Sequence, residues 1–196
     1  MQNAPQKINT AKMKNQAGLT LLELSLALGL ALAIAAIAIG FYTTTSGTRA
    51  SADMQTQLLG LTSAARQTGV NGDYFGVDSS VLARARKVPA AWIGTPADPA
   101  LAIKSAVGGV YIITPRTWNG TVSAACTAAP CNAFQIEATA VPADACNTVV
   151  NSSAANFVNI TVGATPVKST TVPMTSANLA TACDNATNIA TFTVVG

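Results

Sequence analysis

Residues 18–42 read GLTLLELSLALGLALAIAAIAIGFY, and the one side chain among them that is charged at neutral pH is Glu23. The next charge is Arg49, so 25 consecutive residues carry none. As an α-helix, residues 19–42 would measure about 36 Å, enough to cross a hydrocarbon core of about 30 Å. The stretch therefore reads as a membrane segment. Three lysines, Lys7, Lys12 and Lys14, precede it in a tail of 17 residues that contains no acid. Cations before the span and near-neutrality after it place the tail in the cytoplasm and the remainder across the membrane.

Composition agrees with that division. The chain has 196 residues with 11 Lys and Arg against 8 Asp and Glu, a formal charge of +3. Since three of those cations sit in the tail, the rest balances at eight against eight. Only 10% of residues are charged, well under the roughly 25% of a typical soluble domain. So weak and diluted an excess does not describe a nucleic-acid binder. The absence of histidine excludes His-containing hydrolase triads and His-ligated zinc. No nucleophile–base pair is apparent, and the expectation is a protein that is not an enzyme and carries no cofactor.

An ordinary secretory signal has a shorter apolar stretch, followed by a small-x-small cleavage site. Here the small residue, Gly18, comes first. Cleavage behind it would discard the basic tail and keep the apolar helix at the new N-terminus. Gly18-Leu19-Thr20-Leu21-Leu22-Glu23, opening a long apolar helix behind a basic leader, resembles the processing motif of type IV prepilins. That resemblance implies cleavage after Gly18 by a prepilin peptidase, N-methylation of Leu19, and assembly of the mature subunits into a helical homopolymer by inner-membrane machinery. Leu19 departs from the Phe usual in the type IVa branch and in type II secretion pseudopilins, and an 18-residue leader is long for them. Both departures point to the type IVb branch, whose members include bundle-forming, toxin-coregulated and conjugative thin-pilus pilins.

Glu23 supports the resemblance on physical grounds. A carboxylate in a membrane helix costs a few kcal/mol unless paired. No Lys or Arg of the run lies within helical reach, so its partner comes from elsewhere. In the family the corresponding role is to neutralise the N-terminal amine of an adjacent subunit, here that of Leu19, and set axial register. The alternative is an acid snorkelling to the headgroups of a plain signal anchor.

No proline occurs between Pro5 and Pro89, so one helix can run over 19–70, with an assembly half at 19–42 and an amphipathic half at 43–70. Met54, Leu58, Leu61 and Ala65 form its apolar stripe. Fifty residues of helix would give a rod of roughly 75 Å. Gly29 and Gly40 are its weak points, each costing about 1 kcal/mol against Ala. They predict local melting in a filament or, equally, close helix approach.

Residues 71–196 are rich in Thr, Ala, Asn, Gly and Val and read as one globular head. The expected fold is α+β, a type IV pilin fold: a long N-terminal hydrophobic helix packed on an antiparallel sheet, with a disulfide-stapled C-terminal region at 126–183. Predicted strands are 107–114, 134–141, 156–163 and 190–195. Short helices are expected from Ser79-Ser80 through VLARARK, after Pro142, and from Ser176 to Cys183. The four cysteines, Cys126, Cys131, Cys146 and Cys183, would lie in an oxidising compartment, which argues for two disulfides among three possible pairings. A local bridge could close Cys126 and Cys131 around Pro130, leaving Cys146 and Cys183, whose long bridge resembles that of the pilin D-region. Zinc is the competing reading, against which the spacings lack a CxxC knuckle.

Arg84, Arg86 and Lys87 form the basic cluster of the head, a solvated face or a contact for acids on an adjacent subunit or for DNA. Trp92 and Trp118 read as partner anchors or half-buried packing. Asn119 and Asn159 open Asn-x-Thr triplets expected by chance in so Asn- and Thr-rich a chain. Asp73, Asp78 and Asp98 make no calcium-loop pattern. The expectation is a major type IVb pilin, first in the inner membrane and then in a surface pilus of a Gram-negative bacterium, serving adhesion to a recipient or host cell or conjugative mating. A minor pilin or tip adhesin, a pseudopilin and an unprocessed anchor are the alternatives.

Overall fold

The computed structural model describes residues 20–94, 102–121 and 123–196, and within them the side chains of all but 42–46. The proposed cleavage residues Gly18 and Leu19, together with Asp98, lie outside the described residues. The chain divides between Thr43 and Thr44 into two compact units. Helix α1, Leu21–Thr68, begins in the first and ends in the second.

In the second unit the amphipathic part of α1 supplies one wall of the core. Met54, Leu58, Leu61 and Ala65 are all 0% exposed, as spacings of three and four residues on one helix face require. They meet a seven-stranded sheet in which every pairing is antiparallel. Its strands are β1 (Ile103–Lys104), β2 (Val110–Trp118), β3 (Ser123–Ala125), β4 (Ala133–Pro142), β5 (Asn159–Val162), β6 (Thr165–Lys168) and β7 (Thr187–Val195). The order is β1-β2-β4-β7-β5-β6, with β3 also paired to β2. The core-facing rows follow the register, Ile113–Ile136–Phe192–Ile160 and Pro115–Phe134–Val194. Tyr111 adds a polar tie to α1: its hydroxyl lies 3.3 Å from the Met54 carbonyl and from Gln57 Oε1.

Three short helices complete the unit: α2 (Ser79–Arg84), α3 (Ala143–Ser153) and α4 (Ser176–Ala182). Differences from the sequence expectations have local causes. Strand β2 starts at Val110 because Ser105 to Gly109 form a tight turn, with Gly108 at φ 94° and the Ser105 N–H donating to the Gly109 carbonyl at 2.8 Å. Gly109 itself is packed so closely on the Thr139 carbonyl that no Cβ fits. At its other end β2 continues through Pro115. The Ile113 N–H points to the outer edge of β2, where it donates to Ser79 Oγ at 2.9 Å. By alternation the missing N–H of Pro115 faces that edge too, between the stretches paired to β1 and β3, where no ladder bond is lost. Strands β1, β3 and β6 are too short, or in β6 too interrupted by Pro166, to show a period of two. The predicted strand at 156–163 shrinks to β5, because Ala154–Asn156 is a 3-10 turn and Gly163, at φ 58°, opens a two-residue hairpin to β6.

Helix α2 differs as well. Its N-cap is Asp78, whose carboxylate accepts from the Val81 N–H at 2.8 Å. It stops at Arg84, and Arg86 adopts φ 53°. The three cations expected on one helix are therefore Arg84 on α2, with Arg86 and Lys87 in the turn that follows. All three are exposed.

Candidate assembly surface

Between Leu21 and Phe41 the first unit presents an apolar surface around the whole circumference of its helix. From Leu21 to Phe41, α1 is long and apolar enough to cross a membrane, and no part of that span is buried within the protein. Eleven large apolar side chains lie on it, from Leu21 at 87% exposed to Phe41 at 72%. At roughly 1.5–3 kcal/mol for each such side chain removed from water, covering them would release on the order of 15–30 kcal/mol. That exceeds the 5–15 kcal/mol net stability of an ordinary domain. Such a helix needs a bilayer or other helices around it.

Polar groups in this span are satisfied locally. The Glu23 carboxylate accepts from the Thr20 N–H and from Thr20 Oγ1, both at 3.0 Å, while the Glu23 N–H lies 3.3 Å from Thr20 Oγ1. This is a reciprocal capping box, which ties down two of the N–H groups that a helix N-terminus leaves unpaired. The signal was in the sequence as Thr20-x-x-Glu23 before an apolar run. Ser25 Oγ donates to the Leu22 carbonyl at 2.9 Å. The Glu23 side chain thus stands at the outset of α1, held by one neighbour and fully exposed. Gly29 and Gly40 lie within α1, with open space where a Cβ would be.

In the second unit the cysteines pair as Cys126–Cys131 and Cys146–Cys183, with Cα separations of 5.8 Å in each. The long bridge ties α3 to the C-cap of α4, burying both sulfurs in the core. The short one closes a loop anchored by Asp73, whose Oδ1 accepts from the Cys131 N–H at 2.7 Å and the Phe75 N–H at 2.9 Å. That anchoring role is not signalled by any motif. Tyr74 lies beside it, its ring edge-on to Phe134 with centroids 4.8 Å apart. Trp92 is half-buried on α1, its ring edge 3.1 Å from where a Gly60 Cβ would stand, and Trp118 is half-buried on β2. The Asn119 side chain accepts from the Thr121 N–H in a turn, and Asn159 opens β5.

An open recess of about 450 Å³ is lined by Asp78, Ser79, Ser80 and the stretch from Val110 to Ile113. Its polar side chains are engaged in structure: Asp78 caps α2 and Ser79 bridges the β2 edge. Burial pushes the Tyr111 phenol up to about 12, against a smaller opposing effect of a hydrogen bond with Ser105. Its neutral form is the one the fold holds. Among the described residues no group of three His, Cys, Asp or Glu side chains could hold a metal.

Comparison with known proteins places this arrangement. The family described as PilS N terminal matches residues 48–195. Among solved structures, a type IVb pilin from Salmonella typhi is 21% identical, with a TM-score of 0.54 over 73% of this chain and 98% of that one. TcpA, a type IV pilin from Vibrio cholerae El Tor biotype, is 17% identical, with a TM-score of 0.49 over 74% of this chain and 98% of that one. No curated protein matches. An apolar N-terminal helix, an antiparallel sheet and two disulfides thus occur together in a chain whose family match covers nearly all of its head, and the protein is a type IV pilin subunit belonging to the PilS family.

Proposed function

We infer that this pilin is the major subunit of a type IVb pilus, cut after Gly18, methylated at Leu19 and polymerised through its N-terminal helix into a surface filament. The carrying observation is the helix from Leu21 to Phe41, exposed on every side and joined in sequence to a folded head. Before assembly a bilayer covers it, with the basic tail holding the leader on the cytoplasmic side of the inner membrane. After assembly the same surface is covered by other copies of the helix, so the change of environment costs no exposure to water. Glu23 supplies register: within an apolar bundle a carboxylate seeks a cation, and the amine released on a neighbour's Leu19 is one. Helix packing supplies cohesion, and the head forms the outer surface that meets a recipient or host cell in mating or adhesion. The subunit does no chemistry of its own; the peptidase and methylase act on it.

The test is a pair of variants. Gly18→Trp should leave the leader attached and abolish filaments, because the bulky side chain blocks the cut. Glu23→Ala should leave cleavage largely intact and lower filament yield tenfold or more. Wild-type filament yield from Glu23→Ala would overturn the register role, and filaments built from uncut Gly18→Trp would overturn the processing scheme.

A further inference from the structure

Helices α3 and α4 border an open groove of about 550 Å³. One wall is the outward face of α3, where Asn147 and Asn151, and beside them Thr148 and Ser152, recur at i and i+4. The other wall carries Thr175, the N-cap of α4, and the base is apolar, with buried Leu179 and half-buried Met174. None of the residues lining the groove is charged. Two of its hydroxyls have spent their protons inside the fold. Thr148 Oγ1 donates to the Asp144 carbonyl at 3.0 Å and Ser152 Oγ to the Val149 carbonyl at 3.2 Å, so only their lone pairs remain for a ligand. Thr175 Oγ1 accepts from the Asn178 N–H at 3.2 Å, and Asn147 Nδ2 donates to the Ala143 carbonyl at 3.0 Å. The Asn151 amide is exposed and makes no hydrogen bond among the described residues, which leaves its N–H groups and its carbonyl oxygen open. The Cys146–Cys183 bridge joins the two walls: Cys146 precedes Asn147 on α3, and Cys183 is the C-cap of α4.

We propose that this groove binds a neutral saccharide of the cell surface that the filament meets, with Asn147 and Asn151 as its anchoring amides. The site rests on the filament reading and names the chemistry by which the head holds a cell. The ligand class follows from the balance of donors and acceptors. Lone pairs in excess call for a ligand that brings protons, and every sugar hydroxyl brings one. A carboxylate or phosphate brings acceptors and finds no cation among the lining residues to offset its desolvation, while an ammonium brings donors and finds no carboxylate. A side-chain amide holds N–H and C=O side by side, and two adjacent hydroxyls of a sugar accept from the one and donate to the other. Met174, unbranched and polarisable, suits the C–H face of a pyranose ring. A groove of this size takes a ligand of about the bulk of a disaccharide. The bridge fixes the spacing of the walls, so binding has little ordering to impose on the protein. Neutral saccharides are carried by bacterial surface polysaccharides and by host glycoproteins, and the chemistry of recognition is the same for both.

The experiment titrates sheared filaments and detergent-extracted subunits with two probes: neutral O-polysaccharide released from a Gram-negative lipopolysaccharide, and desialylated N-glycans released from epithelial cells. Saturable binding is expected, and the probe that binds assigns the source, a recipient bacterium or a host. Asn151→Ala, at an exposed helix position, should weaken binding about tenfold. Ser152→Trp, which fills the groove, should abolish it. Accumulation of each variant with both disulfides formed shows that it has folded; if Ser152→Trp does not accumulate, Asn151→Ala decides. Sialylated N-glycans should bind no better than the desialylated ones. Failure of filament and subunit to bind either probe overturns the proposal, as does wild-type affinity in Asn151→Ala or tighter binding of the sialylated glycans. Binding by the subunit that is lost in the filament overturns it as well, because neighbouring copies then cover the groove. If the wild-type protein yields no sheared filament while its subunit still binds, the filament reading fails and the saccharide site stands.

Discussion

The two units of this chain stand in opposite relations to water. The head buries its large side chains in its own core: Tyr111, Phe134, Phe157 and Phe192 are each almost fully covered. The helix from Leu21 to Phe41 buries nothing within the protein, and its leucines and isoleucines are all exposed. The head can be understood as a folded domain held by its own contacts, while the apolar helix takes its stability from whatever surrounds it. Mutations should therefore separate cleanly, those in the core of the head changing stability and those in the first unit changing insertion or assembly.

The largest effect on the head is expected at the long disulfide. Opening a loop with a sequence separation of 37 should remove about 4 kcal/mol from the head by the loop-entropy argument. Cys146→Ser with Cys183→Ser, followed by denaturant unfolding of a membrane-extracted subunit, should show that loss in the head signal while the helix still inserts. Next comes Leu58→Ala, which leaves a cavity in the face of α1 that packs on the sheet and should cost about 2–5 kcal/mol. A head that tolerates this change without loss of stability would mean that the amphipathic part of α1 is not an integral core element.

Alkaline pH should destabilise the head through Tyr111. Tyr111 has its phenol pushed up to about 12 by burial, whereas the unfolded chain ionises it near 10. The neutral form favours the fold, so the contribution is complete below pH 10 and disappears as pH rises from about 10 to about 12. Two pH units correspond to about 3 kcal/mol at most. Tyr111→Phe should lose this part of the alkaline destabilisation, and an unchanged alkaline profile would contradict the burial argument. The smallest effect is expected in the other unit. Gly29→Ala and Gly40→Ala meet no steric obstacle and should each stabilise the helix by about 1 kcal/mol. Head stability should not move, and any filament defect would then report a need for local melting or close approach.

The legibility of this protein followed the same divide. The apolar helix could be read from sequence because a run without charge has few physical explanations, and the amphipathic stripe Met54, Leu58, Leu61, Ala65 because its period has one. The central strands showed as β-branched runs of sufficient length. What escaped was set by single long-range contacts: β1 and β3 are a few residues each, and Pro115 looked like a strand end until the gap at the β2 edge explained it. The end of α2 at Arg84 was hidden for a similar reason, since nothing in VLARARK announces a left-handed residue at Arg86. At the site, the Gly-to-Glu motif drew attention to Glu23 as a charge, and the same residues also held a capping box. Asp73 was legible only as an unassigned acid, because its partners, the backbone of Phe75 and Cys131, lie partly across the fold.

In the function proposed above, the apolar helix is kept, exposed at a newly made N-terminus, and built into a filament. The intact mass of protein sheared from the cell surface tests it most directly. The mass expected is that of a chain beginning at Leu19, heavier by one methyl group and lighter by four hydrogens for the two disulfides. A surface-sheared mass that retains residues 1–18, or one that lacks the helix altogether, would contradict it.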